Sequence, residues 1–307
     1  MPVILLLCVV LAVVLGGAYY AYRIAFFSPK KGREDIPFAN GSQYDRYRAE
    51  MTRIFTQLTN RACEDVTIFS HDGLRLSGRY YHTRDGAPLD ICFHGYRSSC
   101  LTDFSGGAEL SLALGHNLLL VDQRAHGRSE GRTIAFGIKE RQDVLSWIYY
   151  ALERFGEDVQ ILLYGISMGA ATVLMASELE LPENVKGIVA DCPYACPMEI
   201  IAHVANKMQM PVWLVRPFVI LGAKLYGSFD IRETDAVRAV KKASVPILII
   251  HGEADGFVPC EMSEEVYLAN PEKITRVTFS GADHGLSYLA DTPRYRRVVT
   301  EFVQKVL

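Results

Sequence analysis

The sequence predicts an α/β fold: a mostly parallel eight-stranded sheet with helices on both faces, broken by a helical insertion and preceded by an apolar N-terminal helix. Three observations lead there. Short apolar runs alternate with helical patterns, which implies a sheet covered on both sides. One connection, Pro193 to Lys242, is far longer than an ordinary crossover. The chain also opens on a long stretch without a charged side chain.

That stretch runs from Pro2 to Tyr22. As a helix it is about 30 Å long, the thickness of a bilayer's hydrocarbon layer, so residues 1–27 read as a transmembrane anchor. A cleaved secretory signal would need a basic leading region, a shorter apolar segment and a small-x-small cleavage site, none of which is clear. A lipoprotein signal fails because Leu7 precedes Cys8 where a small residue is expected. The first basic side chains, Arg23, Lys30, Lys31 and Arg33, follow the span, and Tyr19, Tyr20 and Tyr22 stand where an interfacial aromatic belt would lie. The positive-inside rule then puts the main domain of a single-pass cell-membrane protein in the cytoplasm, with the membrane as a partner. Seven cysteines, odd in number and without Cys-x-x-Cys spacing, read as free thiols and agree with a reducing compartment. A formal charge of −3 offers no basic excess for nucleic acid.

Residues 28–60 read as a linker and a short amphipathic helix carrying Tyr44, Tyr47, Met51, Ile54 and Leu58. Strands are then expected at Val66–Phe69, Leu74–Tyr81, Leu89–Phe93, Leu118–Val121, Val159–Tyr164, Val185–Ala190, Pro246–Ile250 and Arg276–Phe279. The first two would form a hairpin through Asp72-Gly73. Val144, Trp147, Ile148, Ala151, Leu152 and Phe155 share one helical face suited to packing on a sheet. The α/β core is thus residues 61–192 and 243–307, and residues 193–242, rich in apolar side chains, read as a helical lid.

Chemistry enters at Gly165-Ile166-Ser167-Met168-Gly169, which follows an apolar strand and precedes the small-residue helix beginning Ala170-Ala171-Thr172. Gly-x-Ser-x-Gly in that strand-turn-helix setting is a nucleophile elbow, with glycines where side chains would strike the backbone. A serine hydroxyl needs a base. His284, in Gly281-Ala282-Asp283-His284-Gly285 after the last strand, is placed to serve. His94 and His251 precede glycines at strand ends and read as structural hydrogen-bonding groups, and His126 reads as part of a polar loop. The others (His71, His82, His116 and His203) have no motif around them. Asp255, after the penultimate strand, is the acid expected to orient His284. Asp191 is the alternative, and Asp283 reads as a loop cap. A tetrahedral intermediate needs two backbone donors, expected from Met168 and Tyr96. With no His-Glu-x-x-His, Gly-x-x-x-x-Gly-Lys or dinucleotide fingerprint, no metal or other cofactor is expected.

Across Val66 to Val306 five ordered motifs resemble the alpha/beta-hydrolase superfamily: His94-Gly95-Tyr96, Asp122-Gln123-Arg124-Ala125-His126-Gly127-Arg128-Ser129, Gly165-Ile166-Ser167-Met168-Gly169, His251-Gly252-Glu253-Ala254-Asp255 and Gly281-Ala282-Asp283-His284. Within it the chain is similar to membrane-anchored bacterial members of the serine aminopeptidase and monoacylglycerol lipase-like branch. The resemblance implies the Ser167, Asp255, His284 triad in that order, a lid after the sixth strand, and hydrolysis of an ester or thioester through an acyl-serine, with the anchor and apolar lid pointing to a lipid-like substrate. The alternatives are a serine aminopeptidase or amidase, and a non-catalytic receptor or scaffold on the same fold. Where some lipases have a glycine-rich oxyanion loop, this chain has Tyr96-Arg97-Ser98-Ser99. A bulky Tyr96 and charged Arg97 at the mouth count against large acyl groups. Arg97 reads as a surface ion-pair partner or as a contact for a substrate carboxylate or phosphate.

Overall fold

Strands buried on both faces need apolar residues at successive positions, and the central runs of this chain supply them. They form β1 (Glu64–Phe69), β2 (Arg75–Tyr81), β3 (Leu89–Phe93), β4 (Asn117–Asp122), β5 (Ile161–Ile166), β6 (Val185–Asp191), β7 (Ile247–Gly252) and β8 (Ile274–Phe279) in a computed structural model that describes residues 2–29 and 41–307. The sheet order is β1-β2-β4-β3-β5-β6-β7-β8. β2 is antiparallel to both of its neighbours, and all other pairs are parallel.

Alternate residues feed two cores. On β4, Leu119 and Val121 face one core while Leu118 and Leu120 face the other. The first is closed by Val144, Trp147, Ile148 and Ala151 of the Glu140–Phe155 helix and by the Met168–Ala176 helix. The second is closed by the Cys100–Ala113 and Thr292–Val306 helices, with Ile54 and Leu58 of the Arg48–Thr59 helix outside them. β5 starts two residues later than the sequence suggests. The Val159 carbonyl is taken by the Asn184 side-chain amide at 3.0 Å, and the ladder begins with Ile161 N–H donating to Asn184 at 2.8 Å. Residues 193–242 hold the helices Pro197–Lys207, Val212–Tyr226 and Ala236–Ala239. The expected basic flank at Lys30, Lys31 and Arg33 and the start of the linker lie outside the described residues.

The N-terminal helix, Pro2–Ala25, is long and apolar enough to cross a membrane. From Pro2 to Val13 it is exposed, but its second half packs onto the protein. Gly17 faces the Phe218 ring, and Gly222 lets the Val212–Tyr226 helix approach the backbone at Ala18. Phe26, 0% exposed, sits between Phe136 and Phe229 with ring centres 5.7 and 5.3 Å away. Beyond it the chain is joined to residues 132–134: Ser28 N–H donates to Arg132, and Ile134 N–H donates to Phe26.

Phe26→Ala should therefore lower the unfolding free energy by roughly 3–5 kcal/mol, whereas Val10→Ala on the exposed half should change it by less than about 0.5 kcal/mol. Denaturant titration of the full chain in detergent measures both. Equal midpoints for the two variants would mean the helix is not part of the folded core.

Candidate active site

β5 ends at Ile166 and a helix begins at Met168, so Ser167 makes the whole turn alone. Its backbone lies at φ 55°, ψ −115°, a conformation that persists only where the surroundings enforce it. They do so by contact. A Cβ on Gly165 would overlap the Gly169 carbonyl, and one on Gly169 would overlap the Phe93 carbonyl oxygen of β3. Ser167 N–H donates to Asp191 on β6 at 2.8 Å. The hydroxyl is thereby held above the sheet, in front of the positive end of the Met168–Ala176 helix.

The loop after β8 brings His284 over this hydroxyl. His284 Nε2 lies 3.0 Å from Ser167 Oγ, and Nδ1 lies 2.7 Å from Asp255 Oδ2. Asp255 also accepts from the Phe257 and Val258 amides, both at 2.8 Å, and its side chain is fully buried. Burial alone would favour the neutral acid, but hydrogen bonds from His251 and then His284 hold its carboxyl well below the usual range. An ionised Asp255 accepts a hydrogen bond from His284 Nδ1–H, which leaves Nε2 free to accept the serine proton. Asp283 caps the loop, accepting from the Gly256 and His284 amides at 2.8 and 2.7 Å.

Other expected residues fall around this centre. His94 accepts from Gln123 N–H and faces its own Gly95 carbonyl, while His126 accepts from Arg97 N–H, so both are occupied in shaping loops. His251 does more than brace a turn: its Nε2 is 3.0 Å from the Val258 carbonyl and 3.2 Å from Asp255. Met168 is the first helical residue after Ser167. The loop holding Tyr96 passes so close that a Cβ on Gly95 would lie 3.4 Å from the Ser167 Cβ. Asp103 fixes that loop by accepting from the Gly95 amide at 2.6 Å and the Ser98 hydroxyl at 2.5 Å. The sequence reading missed Asp103; its signal was an acid in the first turn of the helix that follows the loop.

The ion-pair expectation for Arg97 is corrected: its guanidinium donates to the Ile24 and Phe27 carbonyls at 2.7 and 3.2 Å, so it caps the N-terminal helix rather than pairing with a surface acid. Tyr96 turns the same way, its hydroxyl 2.8 Å from the Ala25 carbonyl. The helix end draws both side chains to itself, and both line the two cavities that meet at Ser167. One, about 490 Å³, is almost wholly apolar. The other, about 540 Å³, has a mixed lining that includes Asp103, Asp191, Asp283 and His284.

Asp191, the alternative acid, accepts from the Tyr295 hydroxyl at 3.1 Å rather than from His284, and its Oδ1 has no partner. Burial pushes its carboxyl up to about 6, against the lowering effect of Tyr295. The folded pKa is raised, so its contribution to stability is full below the unfolded value near 4 and is lost as pH rises through about 6. Asp191→Asn should remove that loss, so the variant's stability relative to wild type should rise between pH 4 and 8 by on the order of 2–3 kcal/mol. Denaturation midpoints of both proteins from pH 4 to about 8 test it. Parallel profiles would contradict the assignment.

A family model described as alpha/beta hydrolase fold matches residues 91–218. The chain is 26% identical over 298 residues to the uncharacterized protein YqkD of Bacillus subtilis, covering 97% of this chain and 95% of that protein. Among solved structures it is similar to the Pyrococcus furiosus esterase Pf2001, with a TM-score of 0.66 and 22% identity over 89% of this chain and 97% of that one. It is also similar to the ferulic acid complex of Est1E from Butyrivibrio proteoclasticus, with a TM-score of 0.59 and 20% identity over 78% of this chain and 98% of that one. The chain has the alpha/beta-hydrolase fold.

Proposed function

We propose that this protein is a serine hydrolase that cleaves a carboxylic ester or thioester through an acyl-Ser167 intermediate. The observation that carries the reading is the hydrogen-bonded series Asp255, His284, Ser167 at the junction of two cavities. Ser167 Oγ adds to the carbonyl carbon while His284 Nε2 takes its proton, and Asp255 steadies the imidazolium. The Met168 and Tyr96 amides donate to the oxygen that becomes negative. His284 then protonates the leaving alcohol or thiol as its bond to the acyl carbon breaks. Water, deprotonated by the same imidazole, attacks the acyl-serine and releases the acid.

The apolar cavity favours an acyl group over the aminoacyl group of an aminopeptidase substrate. An α-ammonium on the acyl side would need an anionic partner, and among the described residues the lining there contains no carboxylate. We read the N-terminal helix as a single membrane span and not as a cleaved signal, because cleavage after it would remove Ala18 and Tyr22 from the core. Arg23 and the basic residues that follow put the hydrolase domain on the cytoplasmic side.

Ser167→Ala should reduce turnover of a short-chain p-nitrophenyl ester to background. Asp255→Asn should lower kcat by on the order of 10³–10⁴-fold while KM changes little. Steady-state kinetics on full-length protein read both. Ester turnover retained by Ser167→Ala would sink the assignment.

A further inference from the structure

Three helices enclose the apolar cavity, and each presents one stripe to it. Ala21 and Ile24 come from the N-terminal helix, Ile201 and Val204 from Pro197–Lys207, and Val215 and Phe218 from Val212–Tyr226. The spacings are those of a single helix face. Ser167 and Met168 close the inner end. The outer end is rimmed by Tyr20, Ile24, Met208 and Leu214, all large apolar side chains left substantially exposed. Trp213, beside Leu214, is 78% exposed. A rim of this kind is unfavourable in water and suits a membrane boundary.

The length of the N-terminal helix sets where that boundary falls. Its free half, Pro2 to Val13, measures about 18 Å, short of the ~30 Å of a hydrocarbon layer. If the helix spans, its docked half must complete the crossing, and the rim residues Tyr20 and Ile24 then lie at the bilayer's edge. The cavity mouth opens there with them.

We propose that the N-terminal helix is one wall of the acyl-binding site, and that the substrate is a membrane lipid whose long unbranched acyl chain enters from the bilayer between this helix and the two insertion helices. The proposal rests on the acyl-serine reading above. It goes further in making the anchor a part of substrate recognition. A chain leaving the bilayer along Ile24 and Ala21 meets apolar surface continuously until its ester carbonyl reaches Ser167, so no exposure to water is required on the way. Small residues at Ala21 and Ala25, four apart, leave room on the helix face that lines the cavity.

The test uses full-length protein in phosphatidylcholine vesicles with p-nitrophenyl acetate and p-nitrophenyl dodecanoate. In the wild type kcat/KM should be higher for the dodecanoate. Ala21→Trp and Val204→Trp, on different walls, should each lower the dodecanoate-to-acetate ratio by on the order of 10–100-fold, while Val10→Trp on the free half leaves the ratio unchanged. Fluorophosphonate labelling of Ser167 verifies that each variant is folded, and either wall variant suffices if the other is not. A ratio unaltered by both filling variants, an equal fall on both esters, or a wild type without preference for the dodecanoate overturns the proposal while the hydrolase reading stands. A wild type that turns over neither ester and takes no label overturns both.

Discussion

One strained residue fixes the geometry from which the rest of the site follows. Ser167 is held at positive φ because β5 and the next helix meet with no spacer, and because glycines at 165 and 169 let the backbone cross itself and touch β3. The strain is balanced by the hydrogen bond to Asp191 and by burial of the whole Met168–Ala176 helix between sheet and insertion. Rigid strands on both sides leave the serine no alternative position. A loop-borne histidine can then be aimed at it with one hydrogen bond, and a helix N-terminus stands behind it without further arrangement.

Two carboxyl groups end neighbouring strands near this serine, and their surroundings drive them apart. Asp255 accepts from two backbone amides and two imidazoles, so it stays ionised despite burial. Asp191 accepts one hydroxyl and has an unpartnered oxygen, so burial prevails and its charge is disfavoured. The difference is the number of donors each loop can offer. It explains why the loop after β7, and not the one after β6, supports the charge that steadies His284.

Much of this was legible in the residues. The strand runs, the elbow glycines and the loops bearing Asp255 and His284 are local patterns, and local sterics place them. The eight expected strands coincide with the observed ones to within two residues. What could not be read was contact between distant segments. An N-terminal helix that is apolar all round does not reveal which stripe meets protein and which meets lipid, so its docking on the Val212–Tyr226 helix was invisible apart from the small residues at Gly17, Ala21 and Ala25. Arg97 was misread for the same reason. Its partners are backbone carbonyls 70 and 73 residues away, and carbonyls leave no mark in a sequence. His251 likewise looked like a strand-end brace, because its approach to Asp255 depends on how the loop folds back.

In the proposed reading the N-terminal helix has two roles, tether and cavity wall, and both converge on Ser167 as the residue that takes the acyl group. The most direct measurement is to quench the full-length protein in acid during turnover of a long-chain acyl thioester and map the adduct by peptide mass spectrometry. The account predicts the mass of the acyl group on the peptide containing Ser167, and no such adduct when Ser167 is replaced by alanine. An adduct on a cysteine instead, or thioester turnover with no acyl-serine at any quench time and none trapped by rapid mixing, would contradict it.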